Sequence, residues 1–110
     1  MELQQRKENH VLIVALKGRL DAQTAPGMEK DLLESIEKGE KHFLLDLSGL
    51  QYISSAGLRS LLVLAKKLKT VTGEILFAGL EGPVAEVFKI SGFNSIFKIY
   101  PSVSEALDQF

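Results

Sequence analysis

The 110-residue sequence is 45% apolar, enough for one compact core, and it contains no cysteine, which excludes disulfides and thiolate metal sites. Thirteen basic side chains against fourteen acidic ones leave a formal net charge of −1, without the basic excess of a nucleic-acid binder. No stretch approaches the ~20 apolar residues that span a bilayer, and the polar opening MELQQRKENH lacks the apolar run of a secretory signal, so the expectation is a single cytoplasmic domain over residues 1–110.

In chain order, Leu3 to Lys7 reads as an edge strand that turns at Glu8-Asn9. HVLIVALKGRL is a near-continuous apolar run rich in β-branched residues, which fits a strand buried on both faces. TAPGMEKDLLESIEKG has helical spacing: Thr24 is placed to cap it, and Pro26 costs little in a first turn whose N–H groups lack partners anyway. Met28, Leu32, Leu33 and Ile36 form its apolar stripe, and Gly39 stops it. HFLLDL is the next buried strand, ending at Ser48-Gly49. The longest helix runs from Ser55 to about Val71, with a stop at Gly73. EILFAGL is a third buried strand, GPVAEVFKISG a short helix started by Pro83 and stopped by Gly92, and SIFKIY a final strand. SVSEALDQF closes the chain as a helix with a Ser-x-x-Glu capping box at Ser102 and Glu105.

Strands alternating with helices imply right-handed βαβ units and a mostly parallel sheet. Ligands and partners of such sheets gather at the carboxyl ends of the strands, where Asp21, Asp46, the Ser54-Ser55 junction and Gly79 are expected to meet. An enzyme finds little support there. The only histidines, His10 and His42, each precede a strand and so belong to the opposite end, beyond hydrogen-bond reach of a serine nucleophile. The G-x-S-x-G elbow, the Walker sequence and the G-x-G-x-x-G turn are all missing. Asp21 and Asp46 could pair on Mg²⁺, but capping of backbone groups in neighbouring loops is the favoured reading of both.

The serines admit two readings. Either one caps the following helix by accepting from an N–H two or three residues on, or one is a phosphorylation site. A phosphate at a helix N-terminus suits its own helix, because free N–H groups and the macrodipole favour negative charge there. It adds about −1.5 to −2 charge without unfolding the domain. On the helix itself, Leu58, Leu61, Leu62, Ala65 and Leu68 share a face expected to be core. Ala56, Arg59 and Val63 fall on the side next to the serines, as a contact strip would, and the Lys66-Lys67-Lys69 cluster reads as a solvated face.

Three stretches, GRLDAQTA, LLDLSGLQYISSAGLRSLL and SGFNSIFKIYPSVSEAL, occur in this order and together resemble the STAS domain along nearly the whole chain, and within it the bacterial anti-sigma factor antagonists. The resemblance implies an α/β sandwich, a mixed and largely parallel sheet of four to five strands with about four helices mainly on one face. It also implies a non-enzymatic regulator that needs no cofactor or metal. In such antagonists an anti-sigma factor with serine kinase activity uses ATP to phosphorylate a serine or threonine at the start of the second helix. The unphosphorylated form binds that kinase and frees the sigma factor, and a serine phosphatase resets it. Carried onto this sequence, the acceptor is Ser55, with Asp21 beside it in the partner interface and Asp46 at the strand end feeding the same loop. Ser54, Ala56, Gly57, Arg59 and Val63 complete the implied partner surface. Many antagonists carry aspartate where Ser54 stands, serine or threonine at Ala56 and glycine at Arg59, which leaves Ser54 as a competing acceptor. Two further functions stay open: an unphosphorylated STAS adaptor subunit of a lipid-transport or signalling complex, and a weak nucleotide-binding domain using Asp21 and Asp46. The oligomeric state is open as well.

Overall fold

A computed structural model describes the chain from Met1 to Phe110. Five strands, β1 (Glu2–Glu8), β2 (Val11–Leu20), β3 (His42–Ile53), β4 (Glu74–Ala78) and β5 (Lys98–Tyr100), lie side by side in sequence order. β1 is antiparallel to β2 and every later pair is parallel, as the alternation of strands and helices requires. The connections are α1 (Ala25–Glu37), α2 (Ser55–Thr70) and α3 (Gly82–Ile90), and α4 (Val103–Leu107) ends the chain. No helix is long and apolar enough to cross a membrane.

The two faces of the sheet are unequal. Twenty buried residues, including Leu45 and Leu47 of β3, Leu32 of α1, Leu61 and Leu64 of α2 and Phe88 of α3, form the main core beneath the first three helices. The other face buries only six, among them Ile13, Leu44 and Leu76, under the single turn of α4. The implied arrangement of helices mainly on one face is present, with α4 as the exception.

Four details depart from the sequence reading. β3 does not end at Ser48-Gly49 but continues to Ile53. Its register against β2 slips twice, between Ala15 and Lys17 and between Gly18 and Arg19, so β3 contains two extra residues. Its buried positions on the helix face consequently step 43, 45, 47, 50, 53, and the lost period of two is what made a through-going strand look finished. The first slip brings Gly49 close to β2: a Cβ there would stand 2.7 Å from Lys17 Cγ, so the lysine side chain would have to move. In α2 the buried stripe is Gly57, Ser60, Leu61, Leu64 and Leu68, while Leu58, Leu62 and Ala65 are half-buried. Ser60 turns inward because its hydroxyl donates to Glu29 Oε1 of α1 at 2.8 Å, which satisfies a polar group inside the helix pair. Leu33 likewise packs only partly against the core, and Ala25 is buried at the start of α1. Finally, β5 shrinks to Lys98–Tyr100, because Phe93–Ser95 forms a 3₁₀ turn after Gly92 in the left-handed region (φ 76°).

Candidate functional site

β2 and β3 outrun β4 at their carboxyl ends, so the edge of the sheet is stepped. On the long step the Ser54 N–H donates to the Leu20 carbonyl at 2.9 Å, which brings the Leu20-Asp21 turn and the start of α2 together. Ser54 is the N-cap of α2, with extended backbone (φ −99°, ψ 175°), and its Oγ accepts from the Gly57 N–H at 3.4 Å, a long bond. Ser55 is the first residue of the helix. It is exposed, and its hydroxyl has no hydrogen-bond partner within the chain. The two serines thus divide the roles that the sequence left open between them, one shaping the helix start and the other presenting a free hydroxyl.

Asp21 stands at this edge. Its Oδ1 accepts from the N–H of Gln23 at 3.0 Å and of Thr24 at 3.2 Å, closing an Asx turn ahead of α1. The expected Thr24 cap is not made. Thr24 Oγ1 instead reaches back, donating to the Arg19 carbonyl at 2.8 Å and accepting from the Asp21 N–H at 2.9 Å. The Gln23 N–H is the largest influence holding the Asp21 carboxyl below its ordinary range; the Thr24 groups and the Arg19 charge act in the same direction. The site therefore carries a fixed negative charge beside the Ser54-Ser55 junction.

Asp46 does not join it. β3 continues past this residue, which leaves Asp46 in mid-strand, roughly 20 Å short of the β3 end at ~3.3 Å per residue, and paired with Ala15 and Ala78. Its side chain projects from the face of Leu44, opposite the helix face, towards a groove shared with Gln4, Arg6 and Ile13. Asp46 Oδ1 accepts from the Ser48 N–H at 3.1 Å and from the Ser48 hydroxyl at 2.8 Å, and Gly79 packs on the same pair. The separation from Asp21 also removes the alternative of a carboxylate pair for Mg²⁺ or nucleotide, and each aspartate instead caps backbone N–H groups of its own segment. His10 and His42 lie at the amino end as predicted, their rings 4.8 Å apart, and His42 Nδ1 is 2.8 Å from Glu74 Oε2.

Among the other expected interface residues, Arg59 is exposed and Ala56 and Val63 are half-buried. Gly57 is buried and acts by spacing: a Cβ there would meet Ile53 Cγ1 and the Leu20 carbonyl, each at 2.8 Å. One pair escaped the sequence reading. Arg19 Cζ sits 4.1 Å from the centre of the Tyr52 ring, and Tyr52 remains 38% exposed. The contact follows from the register that places Arg19 opposite Tyr52, which depends on the two slips in β3 and has no signature in either residue's neighbours.

An exposed serine at the first position of the second helix, beside the Asx turn that follows β2, sits on a frame that the STAS domain profile matches over residues 2–106. The chain belongs to the STAS domain family. BtrV of Bordetella bronchiseptica, a protein named for an anti-sigma factor antagonist role, is 43% identical over 110 residues, covering 100% of this chain and 95% of that one. The anti-sigma F factor antagonist of Paenibacillus polymyxa is 33% identical over 112 residues, covering 99% and 96%. Among solved structures, SpoIIAA in its unphosphorylated form superposes with a TM-score of 0.77 at 17% identity, covering 98% of this STAS domain and 96% of that chain. The phosphorylated form of SpoIIAA, a Bacillus cell fate determinant, gives 0.76 at 19% identity, covering 98% of each. At such identities the structural likeness establishes the fold. The relatives named for a function are regulatory rather than catalytic.

Proposed function

We propose that this STAS domain is an anti-sigma factor antagonist that binds an anti-sigma factor serine kinase, frees the sigma factor and is switched off by phosphorylation of Ser55. One observation carries the reading: Ser55 is exposed at the helix start with its hydroxyl unengaged, while Ser54 is occupied as the cap. Two named antagonists, 43% and 33% identical over essentially the full chain, support the same role. A serine phosphatase returns the domain to its binding form, and the exchange takes place in the cytoplasm, where sigma factors act.

The chemistry of the edge explains why phosphate switches binding and spares the fold. The first N–H groups of α2 and its macrodipole accommodate an anion at its first residue. A docked partner, by contrast, meets about two new negative charges beside the fixed charge of Asp21. Asp21, Ser54, Ala56, Arg59 and Val63 border the contact, the stacked Arg19 and Tyr52 extend it, and Gly57 lets α2 approach β2 closely enough to form it.

Incubation with ATP and an anti-sigma factor serine kinase tests the reading. Intact mass should rise by one phosphate, fragmentation should place it on Ser55, and the phosphorylated form should lose binding to the kinase. A domain that binds the kinase but takes no phosphate, or takes it on Ser54, overturns the proposal.

A further inference from the structure

Away from the acceptor edge, the flank between α2 and β5 holds a cavity of about 320 Å³. It arises from a mismatch of strand lengths. β4 spans Glu74–Ala78, but β5 pairs only with Leu76 to Ala78, so the outer edge at Glu74 and Ile75 has no strand beside it. Leu62 and Ala65 of α2, Ile75 of β4 and Phe97 make the floor apolar, and Ile96 stands at the margin 60% exposed.

The rim is basic. Lys66, Lys69 and Lys98 line the cavity, all three are exposed, and none takes part in the chain's ion pairs. The one acid of the lining, Glu74, lies 2.8 Å from His42 Nδ1, so three lysines face a single carboxylate. An apolar hollow ringed by three ammonium groups against one carboxylate is half-satisfied by a neutral apolar molecule and half-satisfied by a small inorganic anion. A single molecule with an apolar chain and an anionic head answers both. The volume lies at the low end of the ~300–1,000 Å³ typical of small-molecule sites, enough for one acyl chain and too small for a helix or a two-chain lipid.

We propose that this cavity binds a single-chain anionic amphiphile, a fatty-acid-like carboxylate, with its chain against Leu62, Ile75 and Phe97 and its head among Lys66, Lys69 and Lys98. The site occupies the middle and last turns of α2, away from the helix start that presents Ser55.

The full chain should be titrated by calorimetry and amide-shift NMR with decanoate below its micelle concentration. Decanol, decyltrimethylammonium and phosphatidylglycerol vesicles complete the probe set. Decanoate should bind saturably at one site, shifting amides around Leu62, Ile75 and Phe97. Decanol should bind roughly tenfold more weakly or worse, because it leaves the ammonium groups without a counter-charge, and decyltrimethylammonium should not bind. The double reversal Lys69→Glu, Lys98→Glu, at two exposed positions, should weaken decanoate by roughly tenfold or more with its melting temperature retained. Ala65→Trp should fill the floor and remove binding with the lysines in place. Equal affinity for decanol and decanoate, shifts centred elsewhere, an unaffected double reversal, or association with vesicles in the absence of a decanoate site would each overturn the proposal.

Discussion

Two acid–serine clusters lie on this sheet, one within β3 and one at its carboxyl edge. In Asp46-Leu47-Ser48 the hydroxyl is spent: Ser48 donates to Asp46 Oδ1 at 2.8 Å, and Gly79 packs over the pair. At the other cluster the Asp21 Oδ1 accepts from Gln23 and Thr24, Ser54 serves as the helix cap, and Ser55 is left free. The difference teaches what makes a serine available to a second protein. On the proposed function, proximity to an aspartate does not suffice; a hydroxyl that the fold has not already used, held at a helix start, does.

The largest expected effect follows directly from that contrast. Ser55→Ala should abolish phosphate incorporation by an anti-sigma factor serine kinase and leave a form that binds the kinase constitutively. Ser48→Ala should take phosphate at the wild-type rate. Equal labelling of both variants, read by intact mass, would show that the free hydroxyl is not what the kinase selects.

Gly57 comes next, because the presentation of Ser55 depends on how closely α2 approaches β2. A Cβ at Gly57 would lie 2.8 Å from the Leu20 carbonyl oxygen, a backbone atom that cannot swing aside. Gly57→Ala should cost ~1–3 kcal/mol through overpacking, although alanine is otherwise the better helix former. The matching change in the other cluster, Gly79→Ala, is strained by a φ of 76° and by Ser48 Cβ at 3.0 Å, and its cost should leave phosphorylation untouched. Urea melts of both variants, combined with labelling, separate the two. A neutral Gly57→Ala would mean that α2 shifts outward freely.

The contrast also marks what the sequence could and could not disclose. The order of strands and helices was legible because buried parallel strands read as apolar runs and helices as stripes with stop signals; HVLIVALKGRL and the Pro83-to-Gly92 helix needed nothing more. The serine junction was legible from its small residues and its family resemblance. The place of Asp46 was not, because the two register slips in β3 erase the alternation that locates a strand end. The Arg19–Tyr52 stack was hidden for the same reason, being a cross-strand contact fixed by the slipped register. Ser60 was missed on different grounds: a buried serine is legible only through its partner, and Glu29 is on another helix.

Ser54 gives a smaller effect. A helix cap removed by Ser→Ala costs ~0.5–2 kcal/mol, and the 3.4 Å bond to Gly57 places this cap at the weak end, near ~0.5 kcal/mol. Ser54→Ala should therefore still accept phosphate at Ser55. A loss above ~2 kcal/mol in denaturant melts would show that Ser54 holds the junction by more than its capping bond.

The smallest effect concerns the charge of Asp21. Its carboxyl is held below the ordinary 3.8 chiefly by the Gln23 N–H, with Thr24 and Arg19 adding to it against some loss of hydration. A carboxyl whose pKa is lower in the folded chain binds protons more tightly once unfolded, so it stabilises the fold above the unfolded value and loses that contribution as pH falls through the folded one. The window therefore opens near pH 3.9 and extends downwards, leaving neutral pH outside it. Asp21→Asn keeps an oxygen that can accept from Gln23 and Thr24 but cannot ionise. Its denaturation midpoint at pH 7 should fall slightly, and its further drop between pH 5 and pH 3 should be shallower than in the parent chain. Because the half-buried carboxyl still meets solvent on the side of the exposed Arg19, both differences should shrink in high salt as far as Arg19 contributes, while the part due to the turn's N–H donors persists. Identical acid profiles for the two proteins would place the turn's stability in its backbone alone, and Asp21 would then be free to serve only the partner.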